Sequence, residues 1–397
     1  MVYKIQSVSQ INTSVRLPAS KSISNRVLIL NALSGSCFPI ENLSDSDDTS
    51  VLLKAVQSSG TDFNIGAAGT AMRFLTAYLA QKPGTWSITG TERMKKRPIG
   101  ILVDALRELG AEIHYLEKEG FPPLQIQGKK LKGGVISLNG GVSSQYISAL
   151  MMIAPCLEQG LTIRLEGNSI SKPYIQMTIR LMESFGVKAR WEGQMIEIKP
   201  QTYIPVPFKV ESDWSAASYW YEIAALAPKN SSIKLLGLEE NSTQGDAEGV
   251  RLLPRFASPL PCGEGPGEGL DFVDIPDLAQ TFVVTGCLLG IPFRFTGLQS
   301  LRIKETDRIA ALQIELRKLG YVLQAGDSSL EWVGERCEPE PHPVISTYED
   351  HRMAMAFAPA CLKMNEIRIK DPEVVSKSYP NYWKDLSAAG FIIMEEA

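Results

Sequence analysis

An imperfect repeat constrains the fold of this chain more than any other feature of its sequence. Each copy is an amphipathic helical pattern that ends in apolar-Gly-apolar and is followed by a strand-like run. The clearest copies are Leu106–Ile113, Leu181–Lys188 and Leu316–Leu323, and weaker ones are Leu53–Gly60 and Leu386–Ile393. Glycine suits the left-handed turn that follows many helices. The alternation of helix and strand predicts an α/β protein.

The spacing of the repeat glycines predicts how many copies the chain holds. They are Gly60, Gly110, Gly186, Gly320 and Gly390. The third interval is about twice the others, so a further copy is expected near residue 253. Residues 252–269 are instead rich in proline and glycine, which predicts a loop or disordered insert, with Ser258–Gly269 as a mobile surface loop. We therefore expect six strand–helix units, one of them damaged or replaced.

Length and composition exclude several classes of protein. A chain of 397 residues is too long for one ordinary core and predicts two or three domains. Its 44% hydrophobic and 21% charged residues are typical of a soluble globular protein. The net charge of -4 argues against nucleic acid or an anionic membrane as partner, so any basic site must be local.

The remaining compositional signals predict a cytoplasmic protein that binds no metal. No secretory signal pattern opens the chain, and no apolar run reaches the roughly 18 residues that a membrane span needs. The 6 cysteines are scattered without a CxxC pair, which predicts reduced core thiols. The 3 histidines are too few and too dispersed for a typical metal site.

Polar clusters stand at the predicted starts of seven apolar helices. They are Lys21–Arg26, Gly66–Arg73, Ser143–Gln145, Ser171–Pro173, Asp274–Asp277, Lys304–Arg308 and Tyr348–Arg352. Each cluster alone is compatible with an ordinary capped helix and solvated charges. A helix start also offers free backbone N–H groups and the positive end of the helix dipole. Seven such starts predict that several converge on a polyanionic ligand.

These clusters together resemble the motifs of the enolpyruvyl transferase family, and within it the 5-enolpyruvylshikimate-3-phosphate synthases. The matching stretches are Leu17–Arg26, Gly66–Arg73, Arg93–Gly100, Val142–Gln145, Ile170–Tyr174, Ile275–Asp277, Lys304–Arg308, Asp350–Met355 and Ser376–Pro380. They cover almost the whole chain in order. The resemblance implies a two-domain, inside-out α/β barrel of six βαβαββ units, three per domain. It implies domains at 19–212 and at 1–18 plus 213–397, with a hinge near 18–20 and 211–213.

The resemblance also implies the reaction. The enolpyruvyl group of phosphoenolpyruvate would pass to the 5-hydroxyl of shikimate-3-phosphate, with release of phosphate and without a cofactor. The residues that it assigns to shikimate-3-phosphate are Lys21, Ser22, Arg26, Ser143, Ser144, Gln145, Ser171, Asp277, Ser300 and Lys304. Those assigned to phosphoenolpyruvate are Lys21, Gly69, Arg97, Gln145, Arg308, Arg352 and Lys377. Arginine suits both substrates because its planar fork binds carboxylate or phosphate through two parallel hydrogen bonds. The family is generally monomeric.

Proton transfer points to two carboxylates within these motifs. Asp277 is expected to orient and deprotonate the hydroxyl, and Glu305 to carry a proton to the methylene carbon, with Lys21 sharing this traffic. Their structural alternatives are a helix N-cap for Asp277 and an ion pair with Lys304 or Arg308 for Glu305. Each carboxylate thus has two candidate roles, one chemical and one structural.

Three positions depart from the family pattern. Ala67 and Ser300 stand where the family commonly has Asn, and Phe74 where Pro is common. Two alternatives stay open at this point. One is a UDP-sugar enolpyruvyl transferase, although the loop Thr91–Arg97 lacks the reactive cysteine typical of that class. The other is an inactive paralogue, since the segment 253–269 is unusual.

Overall fold

A computed structural model describes residues 1–167, 170–257 and 268–396. They form two compact units. The continuous unit is Ala19–Glu211, and the discontinuous unit combines Met1–Pro18 with Ser212–Ala397. The chain changes unit between Pro18 and Ala19 and again between Glu211 and Ser212. A hinge at these crossings stays a prediction.

The chain begins with two strands of the discontinuous unit, β1 (Val2–Gln6) and β2 (Asn12–Arg16). The helices of the continuous unit are α1 (Lys21–Leu33), α2 (Asp47–Gln57), α3 (Gly69–Gln81), α4 (Gly100–Glu108), α5 (Ser144–Ile153) and α6 (Lys172–Ser184). Its strands are β3 (Ile40–Glu41), β4 (Asp62–Asn64), β5 (Gly84–Thr89), β6 (Glu112–Tyr115), β7 (Leu124–Gly128), β8 (Gly134–Asn139), β9 (Leu161–Glu166), β10 (Arg190–Glu192), β11 (Met195–Ile198) and β12 (Phe208–Lys209).

The discontinuous unit continues after the second crossing. Its helices are α7 (Trp214–Leu226), α8 (Asp246–Phe256), α9 (Ala279–Leu289), α10 (Arg308–Lys318), α11 (His351–Phe357), α12 (Cys361–Met364) and α13 (Tyr382–Ala388). Its strands are β13 (Ser232–Leu236), β14 (Glu268–Asp271), β15 (Phe293–Thr296), β16 (Gln324–Ala325), β17 (Leu330–Trp332), β18 (Val344–Ile345), β19 (Glu366–Lys370) and β20 (Ile392–Glu396). Short 3-10 segments lie at Met94–Lys96, Ala154–Cys156, Pro276–Leu278, Gln299–Ile303, Ala358–Ala360 and Pro372–Lys377.

Four sheets share one topology, in which a parallel pair is extended by two antiparallel strands. Their strand orders are β4-β5-β7-β6, β8-β9-β11-β10, β14-β15-β17-β16 and β18-β19-β1-β20. A helix joins the two parallel strands, as a parallel connection requires. In the last sheet β1 lies between β19 and β20, so the start of the chain completes a sheet formed by its end.

The two remaining sheets are parallel pairs, β3 with β12 and β2 with β13. The described residues thus form six strand–helix repeats, three in each unit, of which two are reduced to a pair of strands. The predicted two-domain α/β fold is confirmed, and none of the sheets in the described ranges closes into a barrel.

Each unit has its own hydrophobic core, and the most apolar helices run through it. Every residue of α5 except Gln145 is buried, and every residue of α9 except Leu289. Because such helices are apolar on all faces, burial is their stable environment. Within the described part of the chain, no helix is both long and apolar enough to cross a membrane.

The repeat glycines mostly behave as predicted. Gly110, Gly186, Gly320 and Gly390 have φ angles of 99°, 81°, 89° and 103°, each just after a helix. The prediction is wrong at Gly60, which has no positive φ, because α2 ends at Gln57 and the chain leaves it through Ser58 in an extended conformation.

The prediction of a loop at 252–269 is wrong at both ends. Residues 252–256 belong to α8, and residues 268–269 belong to β14. Val250, Leu253 and Phe256 lie on one face of α8 and are buried in the core, which outweighs the cost of Pro254 near the helix end. Residues 258–267 lie outside the described ranges. The prediction of core thiols is wrong for Cys37, which is exposed.

Candidate functional site

In the continuous unit, polar side chains of four helices contact one another. Arg26, in the second turn of α1, donates from Nε to Thr178 Oγ1 of α6 at 2.8 Å and from Nη2 to Ser148 Oγ of α5 at 3.1 Å. Gln145, in the first turn of α5, donates from Nε2 to Thr70 Oγ1 of α3 at 3.2 Å. These bonds join α1 to α5 and α6, and α5 to α3. We call Arg26 and Gln145, with Lys21 and Arg97 of the same unit, the basic cluster.

Arg26 is buried among neutral groups. Its side chain is 2% exposed, and its third hydrogen bond goes from Nη1 to the carbonyl of Ser22 at 2.9 Å. Its guanidinium lies 5.5 Å from the centre of the Phe74 ring, one of the positions that depart from the family pattern. Burial disfavours the charged form and lowers the pKa of Arg26 to about 10. Arg26 therefore carries a buried charge held by oxygen dipoles.

Lys21 lies at the first position of α1, whose N-cap is Ser20. The Ser20 hydroxyl accepts from the backbone N–H of Ile23 at 3.4 Å. Lys21 Nζ is 3.5 Å from Oδ2 of Asp48, which is buried in the first turn of α2. Asp48 was not among the predicted site residues.

Gly69 opens α3 beneath two arginines. A Cβ on Gly69 would lie 2.5 Å from Nη1 of Arg97 and 3.0 Å from Nη1 of Arg73. Arg73 Nη1 also donates to the carbonyl of Gly69 at 2.9 Å. The N-cap residue is Ala68, and no described side chain caps this helix start. The arginines can approach the backbone this closely only because residue 69 lacks a side chain.

The predicted serines lie at the starts of α5 and α6. Ser143 is the N-cap of α5, where its hydroxyl accepts from the N–H of Gln145 at 3.3 Å, and Ser144 follows as a buried residue. Ser171 precedes α6 with φ 55°, and no described side chain caps this helix start either. Left-handed backbone is unfavourable for serine and recurs at functional sites. The starts of α3 and α6 therefore suit an anion, which backbone N–H groups there would bind.

In the discontinuous unit, three cations surround Asp277. Its Oδ1 lies 3.1 Å from Arg308 Nη1 and 3.5 Å from Lys304 Nζ, and its Oδ2 lies 2.9 Å from Arg352 Nη2. Burial raises the pKa of Asp277, but the charges of Arg352, Lys304 and Arg308 outweigh burial and hold the pKa well below its usual range. Asp277 lies in the 3-10 segment Pro276–Leu278, whose N-cap residue is Ile275. Among the described residues, no side chain caps this segment or the start of α9, so the N-cap alternative for Asp277 has no support in these contacts.

Arg308 connects Asp277 with two further carboxylates. Its Nη2 is 3.0 Å from Glu305 Oε2, and its Nε is 2.7 Å from Asp350 Oδ2. Burial lowers the pKa of Arg308, but Asp350, Glu305 and Asp277 together raise it above the ordinary value. Glu305 also lies 3.5 Å from Lys377 Nζ. We call this group, with Lys304 and Arg352, the mixed-charge cluster.

Two acidic residues in this unit were not predicted as site residues. Asp350 is fully buried, binds Arg308 and caps α11 by accepting from the N–H of Arg352 at 2.9 Å. Asp246, at the start of α8, accepts from the Ser215 hydroxyl. Burial, then the charge of Asp277, raises the pKa of Asp246 to about 6. The position of Asp350 directly before an apolar helix could have predicted its capping role from the sequence.

Most of the predicted charged residues thus fall into two groups, one within each unit. Lys21, Arg26, Gly69, Arg97 and Gln145 lie in the basic cluster or directly against it. The mixed-charge cluster brings together Asp277, Lys304, Glu305, Arg308, Arg352 and Lys377. Ser300 lies in the 3-10 segment Gln299–Ile303 just before Lys304, and no contact of its side chain joins it to this cluster in the described residues.

Comparison with known proteins gives a consistent result. The family model described as EPSP synthase (3-phosphoshikimate 1-carboxyvinyltransferase) matches residues 5–64 and 56–386. A 3-phosphoshikimate 1-carboxyvinyltransferase of Bacteroides fragilis (strain YCH46) is 57% identical over 406 residues, covering 98% of this chain and 98% of that protein. A protein of the same name from Vibrio atlanticus (strain LGP32) is 38% identical, covering 96% of this chain and 98% of that protein.

Solved structures with a similar fold include EPSP synthase from Acinetobacter baumannii. It superposes with a TM-score of 0.78 at 21% identity and covers 99% of this chain and 100% of that one. At this identity the superposition supports the fold alone. The sequence matches, which extend over nearly the whole chain, identify the family.

Proposed function

Because this chain belongs to the EPSP synthase family, we propose that it transfers the enolpyruvyl group of phosphoenolpyruvate to the 5-hydroxyl of shikimate-3-phosphate and releases phosphate. One observation carries this proposal. Two half-buried carboxylates, Asp277 and Glu305, bind the same guanidinium of Arg308, with three further cations within 3.5 Å of one or the other. Such a cluster offers proton transfer and anion binding together.

The first step needs a base for the acceptor hydroxyl. We assign this role to Asp277. Its low pKa keeps it ionised, but the cations that lower the pKa also make it a weak base. An arriving anion competes with Asp277 for Arg352 and Lys304. Each cation that turns to the substrate raises the basicity of Asp277 at the moment when the hydroxyl must be deprotonated.

The proton for the methylene carbon is assigned to Glu305. The hydroxyl oxygen bonds to the central carbon of phosphoenolpyruvate while the methylene carbon gains a proton. The tetrahedral intermediate then loses phosphate, which takes up the proton held by Asp277. It also loses a proton from the new methyl group, which restores the double bond. Glu305 can carry this proton in both directions, since Arg308 and Lys377 stabilise its ionised form and a bound anion draws them away. Lys21 is assigned a share of the same proton traffic.

The remaining assignments concern binding. For shikimate-3-phosphate we propose Lys21, Ser22, Arg26, Ser143, Ser144, Gln145 and Ser171 in the continuous unit and Asp277, Ser300 and Lys304 in the discontinuous unit. For phosphoenolpyruvate we propose Lys21, Gly69, Arg97 and Gln145 in the former and Arg308, Arg352 and Lys377 in the latter. Uncapped starts of α3 and α6 support anion binding in the continuous unit. The 2% exposure of Arg26 leaves little of its surface for direct contact with a ligand.

A turnover assay tests the proposal. Purified protein with shikimate-3-phosphate and phosphoenolpyruvate should release phosphate, and both substrates should be required. A UDP-sugar acceptor in place of shikimate-3-phosphate is the matched alternative. If phosphate is released with the UDP-sugar but not with shikimate-3-phosphate, the protein is a different enolpyruvyl transferase. If neither acceptor supports phosphate release, the protein is an inactive paralogue. A cytoplasmic location and a monomeric state are part of the same proposal.

A further inference from the structure

A strained turn directly precedes α11 and the residues Asp350 and Arg352. The N–H of Asp350 donates to the carbonyl of Thr347 at 2.9 Å, which closes a four-residue turn. Its central residues, Tyr348 and Glu349, have φ angles of 54° and 56°. Two successive positive φ angles are those of a type I′ turn, for which Asn-Gly is preferred. Tyr and Glu carry bulky side chains that disfavour this backbone, so other contacts must hold the turn.

The buried carboxylate of Glu315, on α10, supplies such contacts. Its Oε1 accepts from the Tyr348 hydroxyl at 2.5 Å, and its Oε2 accepts from the N–H of Ser346 at 3.0 Å. Lys318 Nζ donates to Oε2 at 2.7 Å and to the carbonyl of Val344 at 2.9 Å. Glu315 is 0% exposed, so these charge-assisted bonds form away from water.

The same helix also holds the far end of the turn. Arg308 is two turns before Glu315 on the same face of α10. It donates from Nε and Nη2 to the two carboxylate oxygens of Asp350 at 2.7 and 3.3 Å. The segment from Val344 to Asp350 is thus bound to α10 at its beginning, at the turn and at its end.

The 347–350 turn also sets the position of Arg352. Asp350 accepts from the Arg352 N–H, and the Arg352 guanidinium donates to the carbonyl and to Oδ2 of Asp277 at 3.0 and 2.9 Å. If the turn relaxed at Tyr348 and Glu349, Asp350 and the first turn of α11 would shift together. A shift of that kind would displace the guanidinium from Asp277.

We propose that Glu315 and Tyr348 are positioning residues, which hold the 347–350 turn in its strained conformation so that Arg352 and Asp350 take their places in the mixed-charge cluster. This inference rests on the proposed assignment of Arg308 and Arg352 to phosphoenolpyruvate and deepens it. Glu315 and Tyr348 make no contact with the reacting groups of this cluster in the described residues. They act through the backbone of the turn.

The test is steady-state kinetics on Tyr348→Phe and Glu315→Gln. Tyr348→Phe removes the hydroxyl that binds Glu315. Glu315→Gln replaces one carboxylate oxygen by an NH₂ group. That group then faces the Tyr348 hydroxyl in one orientation of the amide, and Ser346 N–H and Lys318 in the other. Loss of a hydrogen bond to a buried charged group predicts a rise in the KM for phosphoenolpyruvate of about tenfold, with little change in the KM for shikimate-3-phosphate. Unchanged phosphoenolpyruvate KM values in Tyr348→Phe would overturn the proposal even if Glu315→Gln fails to fold.

A rescue experiment separates positioning from general stability. Glycine adopts a positive φ without strain, so Glu349→Gly in the Tyr348→Phe background should bring the KM for phosphoenolpyruvate back to within about threefold of wild type. Tyr203→Phe is the matched control. It removes a buried hydroxyl that donates to the Met152 carbonyl at 2.8 Å in the continuous unit. It should lower the Tm and leave both KM values unchanged.

The possible outcomes decide between the two proposals. Failure of Glu349→Gly to rescue, or the same kinetic change in Tyr203→Phe, overturns the positioning role. Arg352→Lys is measured in parallel. If it leaves the KM for phosphoenolpyruvate unchanged, the assignment of Arg352 in the proposed function is wrong. If it raises that KM while Tyr348→Phe does not, only the positioning role is wrong.

Discussion

Arg26 in the continuous unit and Arg308 in the discontinuous unit are both 2% exposed, yet their surroundings differ completely. Three neutral oxygens accept from Arg26, and burial lowers its pKa. Three carboxylates surround Arg308, and they raise its pKa despite the same burial. Burial thus lowers the pKa of both arginines, but the net shift is opposite, because carboxylates outweigh burial at Arg308 and none in the described ranges does so at Arg26.

The difference separates two ways of preparing a site for anions. The basic cluster keeps an uncompensated buried charge at Arg26, which an anion nearby would stabilise. The mixed-charge cluster is largely neutralised by its own carboxylates, so an anion must displace Asp277 or Glu305 from their cations. In this second arrangement, anion binding changes the proton affinity of the two carboxylates assigned to proton transfer. The chemistry is therefore expected in the discontinuous unit.

The largest effect is expected from the carboxylates themselves. Asp277→Asn and Glu305→Gln keep the shape of each side chain but remove its proton-transfer capacity. We expect each to lower turnover by roughly 10²–10⁴-fold, as loss of a general acid or base does. Phosphate release measures the effect. Asp327→Asn, an exposed position in the same unit, is the control and should retain full turnover. Near-normal turnover in both variants would leave these carboxylates with a structural role only.

The contrast between the two arginines can be tested through stability. Arg308→Met strands three carboxylates without their cation and should lower the free energy of unfolding by about 3–5 kcal/mol. Arg26→Met strands only hydroxyl and carbonyl oxygens, and Ser148 and Thr178 already lie 2.9 Å apart and can bind each other. We expect a cost of about 1–2 kcal/mol for Arg26→Met. Denaturant unfolding monitored in each unit provides the comparison. Equal costs would remove the distinction between the two clusters.

Asp246 gives a pH test within the discontinuous unit. Its pKa is about 6 in the folded protein and roughly 3.9 in an unfolded chain. Between these values the unfolded state loses a proton that the folded state keeps, so stability falls as pH rises through this window and levels off above it. Asp246→Asn should remove this fall, a relative gain of at most roughly 3 kcal/mol above pH 6.

Asp277 makes stability depend on pH in the opposite direction. The effect of Asp246 is therefore measured as the difference in stability between wild type and Asp246→Asn. The lowered pKa of Asp277 stabilises the folded state above the unfolded pKa, and this stability is lost as pH falls toward the folded value. Denaturant titrations of wild type and Asp246→Asn from pH 4.5 to 7.5 cancel that common contribution. Parallel curves for the two proteins would show that Asp246 is not protonated at about pH 6.

The smallest effect is expected at Gly69. Gly69→Ala would place a Cβ 2.5 Å from Arg97 Nη1, and the end of that flexible side chain can move aside. We therefore expect the variant to fold, and its KM for phosphoenolpyruvate to rise about tenfold, equivalent to roughly 1.4 kcal/mol. Gly100→Ala is the matched control at the first position of α4, since its Cβ would meet nothing closer than 3.4 Å. Equal KM values in both variants would contradict a binding role for Arg97 at this place.

The sequence predicted the region in which each helix starts more accurately than the first residue of the helix. The polar clusters correctly indicated where helices begin, but α1 begins at Lys21, well before the apolar run at Val27. Lys304 and Glu305 precede α10 rather than belonging to it, because Asp307 caps that helix by accepting from the N–H groups of Ile309 and Ala310. Local patterns mark the region of a helix start, and the cap that forms in three dimensions decides the residue.

The sequence by itself determined the α/β class, the repeat and the identity of the cations and carboxylates, because these follow from hydrophobic periodicity, glycine positions and short motifs. Only the tertiary structure decided which charges face each other. Asp277 and Arg352 are far apart in the chain, and so are Arg26 and Thr178, yet each pair lies within hydrogen-bond distance. The pKa of a buried group depends on such neighbours and on the loss of water, and neither is written in the local sequence.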